Sequence, residues 1–339
     1  MAYIKLNKNN FFNNLDIIAK HTKSIDKIAL VLKDNAYGHG LLEMASLAKE
    51  YGITKAVVRS SLEAKVIEDF FDYILVLADI PHVPSQKIIY TINSIEQIEK
   101  ILPYTKVELK VDSGMHRNGV SFDELNSAFE KIKMANLRLE GVFTHHRSAD
   151  ELTSEWFWQK ENFKKIKDKA SALAKEMGFA PLRFHSSNSA ALFRENSFDE
   201  DMARVGIAAY GCMELPKSLN IEGFKSVLSL WASKNSQRVL SEGMRVGYGG
   251  EGEVAKESLV SNYDFGYGDG FFRLCAKEGY KTPDGTAIVG RISMDNSSFL
   301  SDKEELLIFD DARVVAKYAQ TISYEILTSL KSYIKREIV

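Results

Sequence analysis

Cysteine is nearly missing from this chain. Cys212 and Cys275 are the only two in 339 residues, too few and too scattered for a disulfide frame or a structural zinc site, so two reduced, mostly buried thiols are expected. An excess of either charge is missing too: 44 Lys and Arg stand against 46 Asp and Glu, a formal net charge of -2. That balance offers no general attraction to nucleic acid or to an anionic membrane. No apolar run approaches the ~20 residues that cross a bilayer, and residues 1–8 lack the apolar stretch of a signal peptide. A cytoplasmic protein is the expectation. No GxGxxG of a dinucleotide site follows the first strand-like segment. No carboxylate and histidine spacing suits a metal, and His39 and His116 each sit inside a turn.

What is present is an alternation of patterns. The chain exceeds the size at which one core usually stops growing, so two domains are expected. Strand-like runs at 28–33, 55–59, 73–78, 88–92, 107–111, 139–144, 182–185 and 205–210 alternate with helical periodicity, clearest at 41–51, 122–134 and 156–177. Eight β/α units fit a (β/α)8 TIM-like barrel over residues 9–225. After about residue 225 the texture changes to short strand-like runs at 227–231, 237–240, 259–263, 286–289 and 306–309, separated by Gly, Asp or Asn turns. A helix is expected at 321–330 and a last strand at 333–339. This gives a β-rich second domain over 226–339.

The most informative stretch is 28–40. An apolar run rich in β-formers stops at Lys33, a polar turn with Gly38 and Gly40 follows, and a helical pattern begins at Leu41. A strand ending this way sets one amine at the mouth of a barrel or sheet, where α/β enzymes keep their chemistry. A lone lysine there is ordinarily a solvent-facing one. The whole string VLKDNAYGHG closely resembles the cofactor-lysine signature of bacterial alanine racemases, in which the lysine holds pyridoxal 5′-phosphate (PLP) as a Schiff base. Residues 185–191 (HSSNSAA) and 204–211 (RVGIAAYG) resemble that family's H-x-x-NSAA and R-x-GIxxYG elements. They fall where a barrel keeps phosphate donors, after its seventh and eighth strands. The resemblance implies that Ser189 and the amides of Gly206 and Ile207 bind the phosphate, with hydroxyls from Tyr37 and Tyr333. Read alone, NSAA is also an ordinary helix cap. In the same family the first residues pair with the second domain, so a strand at 1–8 is expected to join it.

Arg204 would face the pyridine nitrogen of the cofactor. Arginine stays positive and only donates, so that nitrogen stays unprotonated and the ring is a weak electron sink. This suits proton exchange better than decarboxylation or elimination. Racemisation needs an acid/base on each face of the carbon. Residues 264–273 (DFGYGDGFFR) resemble the family's GYADGxPR, which implies that Tyr267 is the base opposite Lys33, supplied by the neighbouring subunit of a head-to-tail homodimer. His145, closing GVFTH, matches the histidine that links this tyrosine to the arginine. Residues 109–119 (LKVDSGMHRNG) match LKVDTGMxRxG, where Arg117 meets the PLP phenolic oxygen and the substrate carboxylate through its planar fork. Family members often carbamylate the lysine matching Lys110; a carbamate and a free amine both stay open here. Met294 and Asp295, in GRISMD, map to the partner's substrate entrance and carboxylate region.

Four positions depart from the family pattern. Gly268 replaces the usual alanine and is expected to loosen Tyr267. Phe272 stands where proline is common, Ser293 replaces a frequent cysteine, and His146 follows His145 where phenylalanine is usual. The implied activity is PLP-dependent interconversion of L- and D-alanine, which supplies peptidoglycan. A broader or serine racemase stays open. A PLP-dependent decarboxylase of the same barrel type is the other alternative, and Arg204 and Ser293 speak against it.

Overall fold

The computed structural model describes residues 2–81, 83–219 and 221–339. Strand β1 (Ala2–Leu6) leads into helix α1 (Lys8–Thr22), which Asn7 caps by accepting the Asn10 amide hydrogen at 2.9 Å. Eight short strands follow: β2 (Ile28–Val31), β3 (Lys55–Val58), β4 (Tyr73–Val76), β5 (Ile88–Ile92), β6 (Lys106–Lys110), β7 (Arg138–Phe143), β8 (Arg183–His185) and β9 (Ala203–Val205). Strands β2, β4 and β5 are buried at every position, as strands covered on both faces must be. All pair in parallel, in the order β8-β7-β6-β5-β4-β3-β2-β9. The Arg204 amide, donating to the Ser187 carbonyl at 2.9 Å, bridges the remaining gap between β8 and β9. This is the TIM-like barrel.

Helices Leu41–Tyr51, Ser61–Ile67, Leu125–Met134 and Glu155–Met177 wrap its outside. Between β4 and β5 the described residues carry no helix, so one of the eight expected β/α units is incomplete. The strand expected at 205–210 ends at Val205. Residues 206–211 curl instead, with the Tyr210 amide donating to Gly206 at 3.2 Å and the Cys212 amide to Ile207 at 3.1 Å. Ile207, Ala208, Ala209 and Tyr210 are buried, so composition alone reads this buried turn as a strand.

In the second domain a single long strand, β10 (Leu228–Leu240), replaces the two short ones expected. Its polar centre, where the register slips between Lys234 and Ser236, breaks the hydrophobic pattern without breaking the strand. β1 pairs antiparallel with β10 and parallel with Lys335–Ile338. The run at 286–289 makes only isolated bridges, Lys281 to Ala287 and Ile288 to Phe299. Strand Asn296–Phe299 and helix Ala312–Ala319 were not expected. One apolar core continues from Leu30 and Ile74 of the barrel through Tyr210 to Leu230 and Phe309. No helix among the described residues is long and apolar enough to cross a membrane.

Candidate active site

Lys33 lies two residues beyond the end of β2, one after Leu32, and its side chain is 35% exposed at the C-terminal mouth of the barrel. Its Nζ lies 3.7 Å from an Asp34 carboxylate oxygen and 5.8 Å from the centre of the Tyr37 ring. The polar turn expected after it is a left-handed one: Asp34, Asn35, Ala36 and Tyr37 have φ of 54°, 56°, 53° and 50°. Each such non-glycine residue is strained by ~1–2 kcal/mol, and the surroundings hold the turn in place. The Asp34 amide donates to Glu63 at 2.7 Å, and the Asn35 side chain accepts the Leu41 amide at 2.9 Å. Buried His39 donates from Nδ1 to the Ala36 and Tyr37 carbonyls, and burial lowers its pKa to about 4.

Tyr37, Ser189 and Gly206 converge beside this turn. A Cβ added to Gly206 would meet the Tyr37 ring at 3.0 Å, so any side chain there would push on that ring. The buried Ser189 hydroxyl accepts from the Gly206 and Ala208 amides at 3.1 and 3.3 Å, which leaves its own hydrogen to donate. The cap of the short helix at 189–192 is Asn188, which accepts the Ala191 amide at 2.9 Å. The Ile207 amide has no acceptor among the described residues. Burial pushes the Tyr37 hydroxyl pKa up, so it too is a donor.

Arg204 is only 6% exposed. Its Nη1 donates to His185 Nδ1 and to the His185 carbonyl at 3.3 Å; its Nη2 donates to the Thr144 and Ser186 carbonyls at 2.7 and 3.1 Å. Four of its five N–H hydrogens are thereby used. The Nε–H has no acceptor among the described residues. His185 itself passes to Glu108 at 2.7 Å. Sequence reasoning assigned neither residue a role, although His185 opens the HSSNSAA motif. Glu108 sits two residues before Lys110, on the same face of β6, and a charge at an inward barrel position was the available signal.

Three further titratable groups act on one another at this mouth. Burial, with Arg117 and Arg204 nearby, lowers the Lys110 pKa to about 8; Asp112 opposes the shift and Lys33 adds to it. Burial, Arg204, Lys110 and Arg117 hold the His145 pKa well below its ordinary value, so that imidazole is neutral. Arg117 is exposed on a turn organised by Asp112, which accepts the amides of Gly114, Met115 and His116 at 2.8, 2.9 and 3.1 Å. His116 pairs with the same carboxylate at 3.1 Å.

Tyr267, Met294, Asp295 and Tyr333 form a second cluster. The Tyr267 amide donates to Ser293 at 3.1 Å and the Gly268 amide to Met294 at 2.8 Å. Tyr333 donates to the Gly268 carbonyl at 3.0 Å and lies 3.1 Å from Asp269 Oδ1. Its hydroxyl is thus engaged within the second domain. Gly268 brings close approach where slack was expected: a Cβ there would lie 2.9 Å from the Met294 carbonyl and 3.3 Å from Asp295 Oδ1. Tyr267 and Met294 are 42% and 55% exposed. An open cavity of about 630 Å³ separates the tyrosine from Asp34 and Asn35. Within one chain no described contact joins Tyr267 to Lys33 or His145.

Two family descriptions match this chain: Alanine racemase, N-terminal domain, over residues 6–214, and Alanine racemase, C-terminal domain, over 227–338. It is 44% identical over 336 residues to an alanine racemase of a Nitratiruptor species, covering 99% of each chain. It is 43% identical over 341 residues to that of Campylobacter concisus, covering both chains fully. Among solved structures it is similar to the alanine racemase of Clostridium difficile 630, with a TM-score of 0.88 at 27% identity over 100% of this chain and 95% of that one. A Bacillus anthracis alanine racemase with bound L-Ala-P gives 0.87 at 27% identity with the same coverage.

Proposed function

This chain belongs to the alanine racemase family, and from that premise we propose that its reaction runs between two bases, Lys33 of one subunit and Tyr267 of its partner in a homodimer. The chain is an isomerase that interconverts L-alanine and D-alanine, and the general role of this enzyme is to supply D-alanine for peptidoglycan. The family depends on PLP. When bound, that cofactor supplies a conjugated ring that weakens the Cα–H bond of the amino acid.

The residues present fit the cofactor. Lys33 is the amine that would hold it; Ser189, Tyr37 and the Ile207 amide offer unspent donors for its phosphate, in a cradle that a Cβ at residue 206 would fill. The observation that carries the reading is Arg204. A nearly buried guanidinium with four hydrogens committed and the Nε–H spare can present only a donor to a ring nitrogen, never an acceptor. Arg117 would take the substrate carboxylate. Neutral His145 would link Arg204 to Tyr267. The exposure of Tyr267 and Met294 on one face of the second domain supports a partner subunit completing the site. Lys110, with its pKa near 8, has enough neutral amine to add carbon dioxide, which supports a carbamate facing Arg117. A cytoplasmic location belongs to the same proposal.

The test is a substrate panel read by chirality. L-Ala, L-Ser and other amino acids are incubated with the cofactor-loaded protein, and chiral chromatography is expected to show alanine inverted fastest. The visible cofactor band is expected to vanish in Lys33→Ala. A band that survives that substitution, or alanine that keeps its configuration with the wild type, would overturn the reading.

A further inference from the structure

Inside the barrel, one layer below Lys110, lies a carboxylate that the reaction described above leaves unused. Glu108 is fully buried. One of its oxygens accepts the Tyr73 hydroxyl at 2.8 Å and an Arg183 Nη1 hydrogen at 2.7 Å; the other faces His185 Nε2 at 2.7 Å. β4, β6 and β8 are alternate barrel strands, so these side chains share an interior layer that branched apolar residues ordinarily fill. An unpaired carboxylate at this depth would be destabilising by several kcal/mol. Here each group facing it is a donor. Burial pushes its pKa up, but the donors facing it from His185, Arg183 and Tyr73 outweigh that and hold it below the ordinary carboxylate value.

Donor and acceptor chemistry fixes His185 from both ends. A carboxylate only accepts, so Nε2 carries the hydrogen; a guanidinium only donates, so Nδ1 facing Arg204 is bare. An imidazolium would set an Nδ1–H against an Arg204 N–H. Burial keeps the ring on the neutral side, against the pull of Glu108.

We infer that Glu108 is a positioning residue for racemisation: by holding His185 in its Nε2–H tautomer, it keeps Arg204 Nη1 engaged and the Nε–H free for the cofactor ring nitrogen. The inference rests on the cofactor reading above. A glutamine at this position carries an NH2 in place of one oxygen. Arg183 cannot become an acceptor, whereas His185 can by changing tautomer. The amide hydrogens therefore turn to His185, which moves its own hydrogen to Nδ1 and sets two N–H groups against each other at Arg204.

Long-range 1H–15N NMR of full-length, histidine-labelled protein without cofactor reads this directly. Wild type is expected to show His185 as the neutral Nε2–H tautomer, and Glu108→Gln to show Nδ1–H. In the loaded variant the visible absorption maximum is expected to shift and kcat to fall by about 10-fold or more, the scale of outer-shell partners, with KM for alanine little changed. An imidazolium or Nδ1–H form in wild type overturns the inference and needs no variant, so a Glu108→Gln protein that does not fold leaves the test intact. A variant that keeps the wild-type tautomer, or one that swaps it with band and kcat unaltered, also overturns it. Failure of the wild type to take up cofactor would instead sink the reading of Lys33, and the His185 tautomer would still decide the Glu108 network.

Discussion

Lys110 shows how a barrel mouth tunes one side chain. Its folded pKa near 8 lies below the ordinary lysine value of 10.5, so the protonated amine opposes folding. Below about pH 8 both folded and unfolded states hold the proton and the penalty is present in full. Between about 8 and 10.5 only the unfolded state holds it, and stability rises with pH. In cofactor-free protein whose Lys110 is uncarbamylated, Lys110→Met is therefore expected to stabilise the fold at pH 7 and to lose that advantage by pH 10.5, as read from denaturant midpoints; an advantage that grows with pH would contradict the assignment. Tyr267 makes a different prediction. Tyr267→Phe is expected to keep the visible band and to slow proton exchange on one face by roughly 10²- to 10⁴-fold. Deuterium wash-in from each enantiomer measures this, and equal rates in wild type and variant would refute it. The roles proposed for Lys33, Arg204 and Tyr267 could be assigned from sequence because each sits in a long, specific string. Glu108 was not, because its meaning lies in partners 35, 75 and 77 positions away.

At the scale of elements, the turn at 34–37 adjoins one proposed base and the loop at 266–269 carries the other. The left-handed run was hidden in the sequence. Asp34 and Asn35 tolerate that conformation singly, but Ala36 and Tyr37 give no local sign of it. The turn is stabilised from outside by Glu63, which accepts the amides of Asp34, Arg59 and Ser60 at 2.7, 2.8 and 3.2 Å. Glu63→Ala is expected to lower the unfolding free energy by ~1–3 kcal/mol and to reduce occupancy of Lys33 by cofactor. A denaturant titration with an unmoved midpoint would reject that role. Gly268 belongs to the opposite element. Gly268→Ala forces a methyl against the Met294 carbonyl and is expected to cost about 1–3 kcal/mol through overpacking, with KM raised more than the band is disturbed. An unchanged melting temperature and KM would show the loop has slack after all.

For the whole molecule, the barrel was legible because buried parallel strands read as short apolar runs between amphipathic helices. The second domain was less so. The polar middle of β10 hides one strand as two, and the bridges at 286–289 look like a strand without forming one. Which subunit supplies Tyr267 is a property of the assembly, and mixing tests it most directly. Lys33→Ala and Tyr267→Phe proteins, each expected to retain little racemase activity, are dissociated, combined and allowed to re-pair. If each site takes its lysine from one subunit and its tyrosine from the other, every mixed dimer holds one wild-type site. Half the re-paired dimers are mixed and one site in two is intact, so roughly a quarter of wild-type racemase activity should return. Activity no greater than the sum of the two separate variants would contradict a site shared between subunits.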